Sequence, residues 1–183
     1  RIKDKPDVTI RAEITEAKAL CERHGAKLVV NDYWRQAIDA GCDFIHLGQG
    51  DLATADLAVI RRAGIKFGVS THDEAELSRA LDVSPHYIAL GPVYPTVLKT
   101  MAFPPQGLSR IAEWKKRIGK IPLVAIGGIT LERVAGVLQA GADSAAVVTD
   151  ISRNTDPKQR TRDWVKATRE EASCIEPNAL SPR

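Results

Sequence analysis

Short runs of Val, Ile and Leu recur along the chain, most of them breaking off at a polar residue: KLVV at 27, DFIHL at 43, IKFGV at 65, HYIAL at 86, PLVAI at 122 and SAAVV at 144. Apolar runs this short, bounded by turn residues, predict buried strands. Between them lie IRAEITEAKALCERHG, WRQAIDAG, LATADLAVIRRAG, HDEAELSRALDV, LSRIAEWKKRI and LERVAGVLQAG. Their apolar residues fall three and four apart, and glycine closes several of them, which predicts helices. Strand alternating with helix implies parallel strands joined by helical crossovers.

Two architectures share that alternation, an open doubly wound sheet and a closed (β/α)8 barrel. GQGDLA at 48 has the first two glycines of a dinucleotide fingerprint but lacks the third, and no acidic ribose partner follows at the usual distance. Polar or glycine pairs follow nearly every strand instead: Asn31/Asp32, Gln49/Asp51, Ser70/Thr71, Tyr94/Thr96, Gly127/Gly128 and Thr149/Asp150. Functional groups at the C-terminal ends of all strands are the habit of a TIM-type barrel. A barrel needs eight strands, and the pattern supplies six, preceded by a helix that must itself follow a strand. The expectation is an α/β (β/α)8 TIM-type barrel lacking its first βα unit and most of its second strand. Residues 1–172 form its single domain, and residues 173–183, with two prolines and no period, form a tail.

Composition narrows the partners. The 26 Lys and Arg against 23 Asp and Glu are interspersed, so no basic stripe marks a nucleic-acid surface, whereas small anionic ligands suit a net charge of +3. Cys21, Cys42 and Cys174 are widely spaced, without a C-x-x-C pair or a histidine at zinc-ligand spacing. That pattern indicates neither a disulfide framework nor a structural zinc site and fits a reducing cytoplasm. No apolar run reaches the length of a membrane span, and the charged RIKDKPD at the start is no signal peptide.

Asp32 and Asp51 follow consecutive strands, and neighbouring strands lie about 4.8 Å apart, so their carboxylates can converge on one cation. Two carboxylates without His or Cys select a hard ion such as Mg2+. Capping of the helices that follow is the alternative for either aspartate. Lys99 lies in the proline-punctuated stretch VLKTMAFPPQG, long enough for a lid, although a solvated lysine is its plainer reading. Arg1 and Lys3 would end the absent strand, and three cations with a metal would suit a diphosphate. AIGGIT and VVTD suggest a second anion site on backbone N–H groups, while Gly127 and Gly128 alone could be a tight turn. His46 alternates with Phe44 and fits a histidine bonded to its neighbours better than a catalytic one. His24 and His86 read as surface residues, His72 as a helix start or substrate contact, and Phe67, Trp114 and Trp164 as core.

Read in order, RIK, VVNDYW, HLGQGDL, GVSTH, GPVYPTVLK, AIGGIT and AAVVTD closely resemble the thiamine phosphate synthase family from Arg1 to about Ile151. The resemblance implies a (β/α)8 barrel that joins an aminopyrimidine methyl diphosphate to a hydroxyethylthiazole phosphate, giving thiamine phosphate and pyrophosphate. It implies Mg2+ as cofactor, with Asp32 and Asp51 as ligands. Asn31, Arg1, Ile2, Lys3 and Lys99 would hold the diphosphate, Lys99 with a catalytic part, and Ser70 would touch the pyrimidine. The thiazole phosphate would fall to Thr96, Val97, Leu98, Gly128, Val148 and Thr149. The implied partners are these two small molecules, with no nucleic acid and no membrane.

The chain departs from the family pattern in three places. The glutamine of Q-x-R-x-K lies before Arg1, Leu98 stands where a second threonine is common, and Thr149 replaces a serine while keeping the hydroxyl. The rival readings are a thiazole tautomerase-like relative, a non-catalytic phosphate-ligand barrel and a sugar-phosphate isomerase or aldolase. The Asp32/Asp51 pair with Lys99 argues against the first, and the strand ends offer no Lys or Glu base for the last.

Overall fold

A computed structural model of the chain describes residues 5–96 and 103–175, with side chains to residue 168. The fold is α/β, with six strands among the described residues: β1 Val30–Asn31, β2 Phe44–Leu47, β3 Lys66–Thr71, β4 Tyr87–Leu90, β5 Leu123–Ile126 and β6 Ser144–Ala146. Strand order follows chain order. The pairs β1–β2, β2–β3 and β5–β6 are parallel, as helical crossovers require. The chain divides into two compact units, Arg1–Ile88 and Ala89–Arg183, and β4 runs across their join.

In the first unit, α1 (Asp7–Arg23) leads into β1, and α2 (Trp34–Asp39), α3 (Gln49–Thr54), α4 (Leu57–Arg62) and α5 (Glu74–Asp82) link the strands that follow. Ile45, Leu47, Ile60, Phe67, Val69, Leu77 and Ile88 are almost fully buried there. Two expectations change. The run LATADLAVIRRAG is two helices, because the Asp56 carboxylate accepts the Val59 N–H at 3.0 Å and restarts the helix in the middle of its apolar period. KLVV supplies strand only at its last residue. Val30 pairs with Ile45 and β2 begins at Phe44, so Lys27 and Leu28 lie beyond the start of the one strand that pairs with β1 among the described residues.

In the second unit, α6 (Gly107–Ile118), α7 (Leu131–Gln139), α8 (Thr149–Ser152) and α9 (Pro157–Ile175) accompany β5 and β6. Its core gathers Leu90, Val93, Ile111, Trp114, Leu123, Ala125, Val137 and Trp164. Trp114 and Trp164 are thus core, as their helical period implies, and so is Phe67 in the first unit. Helix α9 extends to Ile175, into the stretch read as a tail. Among the described residues, no helix is long and apolar enough to cross a membrane.

Candidate functional site

Register aligns the polar strand ends of the first unit. Asn31 of β1 is level with His46 of β2, and His46 with Gly68 of β3. Side chains alternate across a strand, so Ser70, two residues beyond Gly68, projects on the same face. The β1 chain then turns sharply: Asp32 takes φ 68°, its N–H donates to the His46 carbonyl at 2.9 Å, and its own carbonyl accepts the Trp34 N–H at 2.8 Å. Asp is among the few residues that tolerate this left-handed conformation. Asp51 lies inside the first turn of α3 rather than ahead of the helix, and the N-cap position there is Gly48. A Cβ at Gly48 would stand 3.3 Å from Asp51 Oδ2, which places that carboxylate over the end of β2.

His46 is held on both sides. Its Nδ1 lies 2.7 Å from the Tyr87 hydroxyl and its Nε2 lies 2.7 Å from Ser70 Oγ, with the Tyr87 ring stacked at a centroid distance of 5.6 Å. Burial pushes its pKa down to about 4 and that of the Tyr87 phenol up to about 12, so both are neutral at physiological pH. Ser70 is gripped through its carbonyl as well, which accepts from Gln49 Nε2 at 2.7 Å, and Gln49 Oε1 accepts from Arg79 Nε at 3.1 Å. The reading of His46 as a histidine bonded to its neighbours therefore holds. His24 and His86 are exposed. At the start of α5 the cap is Asp73, which accepts the Glu76 N–H at 2.8 Å. The Glu76 carboxylate accepts the His72 backbone N–H at 2.8 Å, one residue ahead of the cap, and also holds His72 Nδ1 at 2.7 Å.

In the second unit, the segment after β4 lies beside the segment after β5. Val93 N–H donates to the Ile126 carbonyl at 2.9 Å and Tyr94 N–H to the Gly127 carbonyl at 3.0 Å. Gly127 (φ 97°) and Gly128 (φ 65°) are required by this approach: a Cβ would come within 2.7 Å of Pro92 Cα and 2.4 Å of the Pro95 carbonyl respectively. Thr96 is half-buried near this pair of segments, and Val148 is exposed at the N-cap of α8, with Thr149 as the first helical residue. Sequence reasoning missed Arg133, which donates to the Gly128 carbonyl at 2.8 Å and lies over the Tyr94 ring at 4.6 Å. It sits five residues past Gly128 in an exposed helical turn, where a lysine or arginine carries no distinguishing signal. Arg1, Ile2, Lys3, Val97, Leu98 and Lys99, with the lid reading of their loop, lie outside the described residues.

Among the described residues, no three or more His, Cys, Asp or Glu side chains group as a metal site. Two carboxylates on adjacent strand ends still suit Mg2+, which keeps several waters and commonly takes only one or two protein carboxylates beside phosphate oxygens.

Parallel strands with polar and glycine-rich C-terminal ends place the chain in the α/β class that carries its chemistry beyond the strands. The family model described as thiamine monophosphate synthase matches residues 1–151, and the chain belongs to this family. It is 62% identical to the thiamine-phosphate synthase of Rhizobium etli over 92% of this chain and 82% of that one. It is 51% identical to that of Cronobacter sakazakii over 88% and 77%. Among solved structures, a thiamine phosphate pyrophosphorylase from Pyrococcus furiosus superposes with a TM-score of 0.82 at 25% identity, over 93% of this chain and 81% of that one.

Proposed function

We propose that the chain is a Mg2+-dependent transferase, a thiamine phosphate synthase, which couples an aminopyrimidine methyl diphosphate to a thiazole phosphate and releases pyrophosphate. Its six parallel strands are read as part of a (β/α)8 barrel. The observation that supports the reading is the β1–β2 pairing, with Asp32 directly after β1 and Asp51 in the first turn of α3, four residues past the end of β2. Family membership and the synthase relatives support it.

Asp32 and Asp51 would hold the ion, which when bound neutralises charge on the departing pyrophosphate. Asn31, Arg1, Ile2, Lys3 and Lys99 are assigned to the diphosphate, and Ser70 to the pyrimidine. Thr96, Val97, Leu98, Gly128, Val148 and Thr149 are assigned to the thiazole phosphate. Leu98 offers only backbone there, and Arg133 braces Gly128 from its carbonyl side.

The chemistry needs no general base. Loss of pyrophosphate leaves a resonance-stabilised pyrimidine methylene cation, and the thiazole nitrogen captures it with a lone pair it already owns. A neutral His46 with both ring nitrogens engaged agrees with this. The rate then rests on electrostatic stabilisation of the leaving group and on alignment of the two partners. Lys99→Ala is expected to lower kcat while leaving the KM for thiazole phosphate nearly unchanged.

The test is thiamine phosphate formation from both substrates, with Mg2+ and with chelator. Product only with the metal supports the reading. Pyrophosphate binding without product would instead favour a non-catalytic phosphate-ligand protein.

A further inference from the structure

We propose that Gln49 and Arg79 are positioning residues that fix the turn bearing Asp51 against the end of β3, so that the metal carboxylate and the Ser70 contact are set together. That role rests on the reading of Asp51 as a metal ligand and Ser70 as the pyrimidine contact. Helix α3 carries Asp51 but has little of its own to hold it. It spans six residues, Gln49–Thr54, none of them buried, and is far below the length at which an isolated helix persists in water. Thr54 Oγ1 bonds only within the helix, to the Gly50 and Asp51 carbonyls at 3.5 and 3.3 Å. Among the described residues, the side-chain hydrogen bonds that leave α3 are the two of Gln49.

Both of those bonds have one possible direction. Arg79 Nε–H can only donate, so Gln49 Oε1 accepts at 3.1 Å. The Ser70 carbonyl can only accept, so Gln49 Nε2 donates at 2.7 Å. The two ends agree on one orientation of the amide, and each bond polarises it in the same sense. The β2–β3 ladder ends where Leu47 is level with Val69, so the Gln49 amide takes the Ser70 carbonyl one residue beyond the last paired position.

The far end of this link is firm, because Arg79 stands on α5, which buries Leu77 and Ala80 completely. At the near end, Leu52 N–H donates to the Gly48 carbonyl at 2.8 Å and closes the turn that contains both Gln49 and Asp51. A Cβ at Gly48 would stand 3.3 Å from Asp51 Oδ2, so the carboxylate lies over that same turn. Gln49 and Asp51 therefore move as one unit, and what holds the Gln49 amide to β3 also sets the Asp51 carboxylate relative to Ser70.

The test uses the full chain with three variants, each checked by circular dichroism. Gln49→Met keeps the length of the side chain and loses both bonds, Arg79→Met loses the outer one, and the third combines them. In protein without metal, amide hydrogen exchange over residues 48–54 should be about tenfold faster in Gln49→Met, the worth of roughly one hydrogen bond, with β2 and α5 unchanged. Pyrophosphate titrated in the presence of Mg2+ should bind that variant about tenfold more weakly. Arg79→Met should weaken the same binding about threefold alone and add nothing in the Gln49→Met background. In turnover, the KM for the pyrimidine diphosphate should rise and that for thiazole phosphate should stay. Unchanged exchange over residues 48–54 in Gln49→Met, or a rise in both KM values, would overturn the proposal. So would an equal effect of Arg79→Met in both backgrounds, which is the behaviour of a surface charge that attracts anions without Gln49. A wild-type chain that forms no thiamine phosphate would defeat the activity reading alone, since the exchange still decides whether Gln49 holds the turn.

Discussion

Arg160 clamps Asp150 with two hydrogen bonds, Nε to Oδ2 and NH2 to Oδ1, both at 2.9 Å. Asp150 follows Thr149 in α8, and its Oδ2 also accepts from the Trp164 indole at 2.7 Å. The helix bearing the proposed phosphate-binding hydroxyl is thereby fastened to α9. Arg160→Ala leaves a carboxylate at 11% side-chain exposure with the Trp164 indole and the Leu131 backbone N–H as its remaining donors. The expected cost is about 1–3 kcal/mol of stability, with a raised KM for thiazole phosphate. Urea unfolding and substrate titration check the two parts.

The same network gives an acid-sensitive element. The hydrogen bond from Arg160 draws the Glu132 pKa down from the ordinary 4.5 to about 2 and also lowers that of Asp150. Carboxylates with depressed pKa values contribute stability that is fully present above their unfolded values and is lost as pH falls through the folded ones. Stability should decline between about pH 4.5 and 2. Arg160→Gln should flatten that decline, as measured by urea midpoints across the range.

Gly128→Ala places a methyl group 2.4 Å from the Pro95 carbonyl and 2.8 Å from Tyr94 Cβ, at a positive φ that disfavours any side chain. The strained segment must shift, at a cost of about 1–3 kcal/mol. The KM for thiazole phosphate should rise, while binding of the pyrimidine diphosphate to the first unit's residues stays near wild type. Isothermal titration with each ligand separates the two.

Asp56→Ala removes the cap of α4 and should cost about 1 kcal/mol with no change in kcat. Thermal unfolding alongside an activity assay checks it. A loss of activity would imply that α4 communicates with the strand ends.

Much of this was legible because it is written in local pattern. Six apolar runs mark the six strands of the described residues, and polar or glycine pairs follow nearly every one. The break between α3 and α4 was hidden because Asp56 interrupts a continuous helical period through its side chain alone. The short β1 depends on where β2 begins rather than on the composition of KLVV. His46 could be read as an inward histidine, but its partners could not, since Tyr87 lies 41 residues further on and Ser70 24. Arg133 and Arg160 act through carbonyl and carboxylate partners that only folding brings near.

Asp32 and Asp51 are proposed to supply the metal chemistry, and turnover of Asp32→Asn and Asp51→Asn against Mg2+ concentration tests this directly. Each variant should keep its circular dichroism spectrum and lose Mg2+-dependent formation of thiamine phosphate. Wild-type rates with an unchanged Mg2+ dependence in both variants would contradict it.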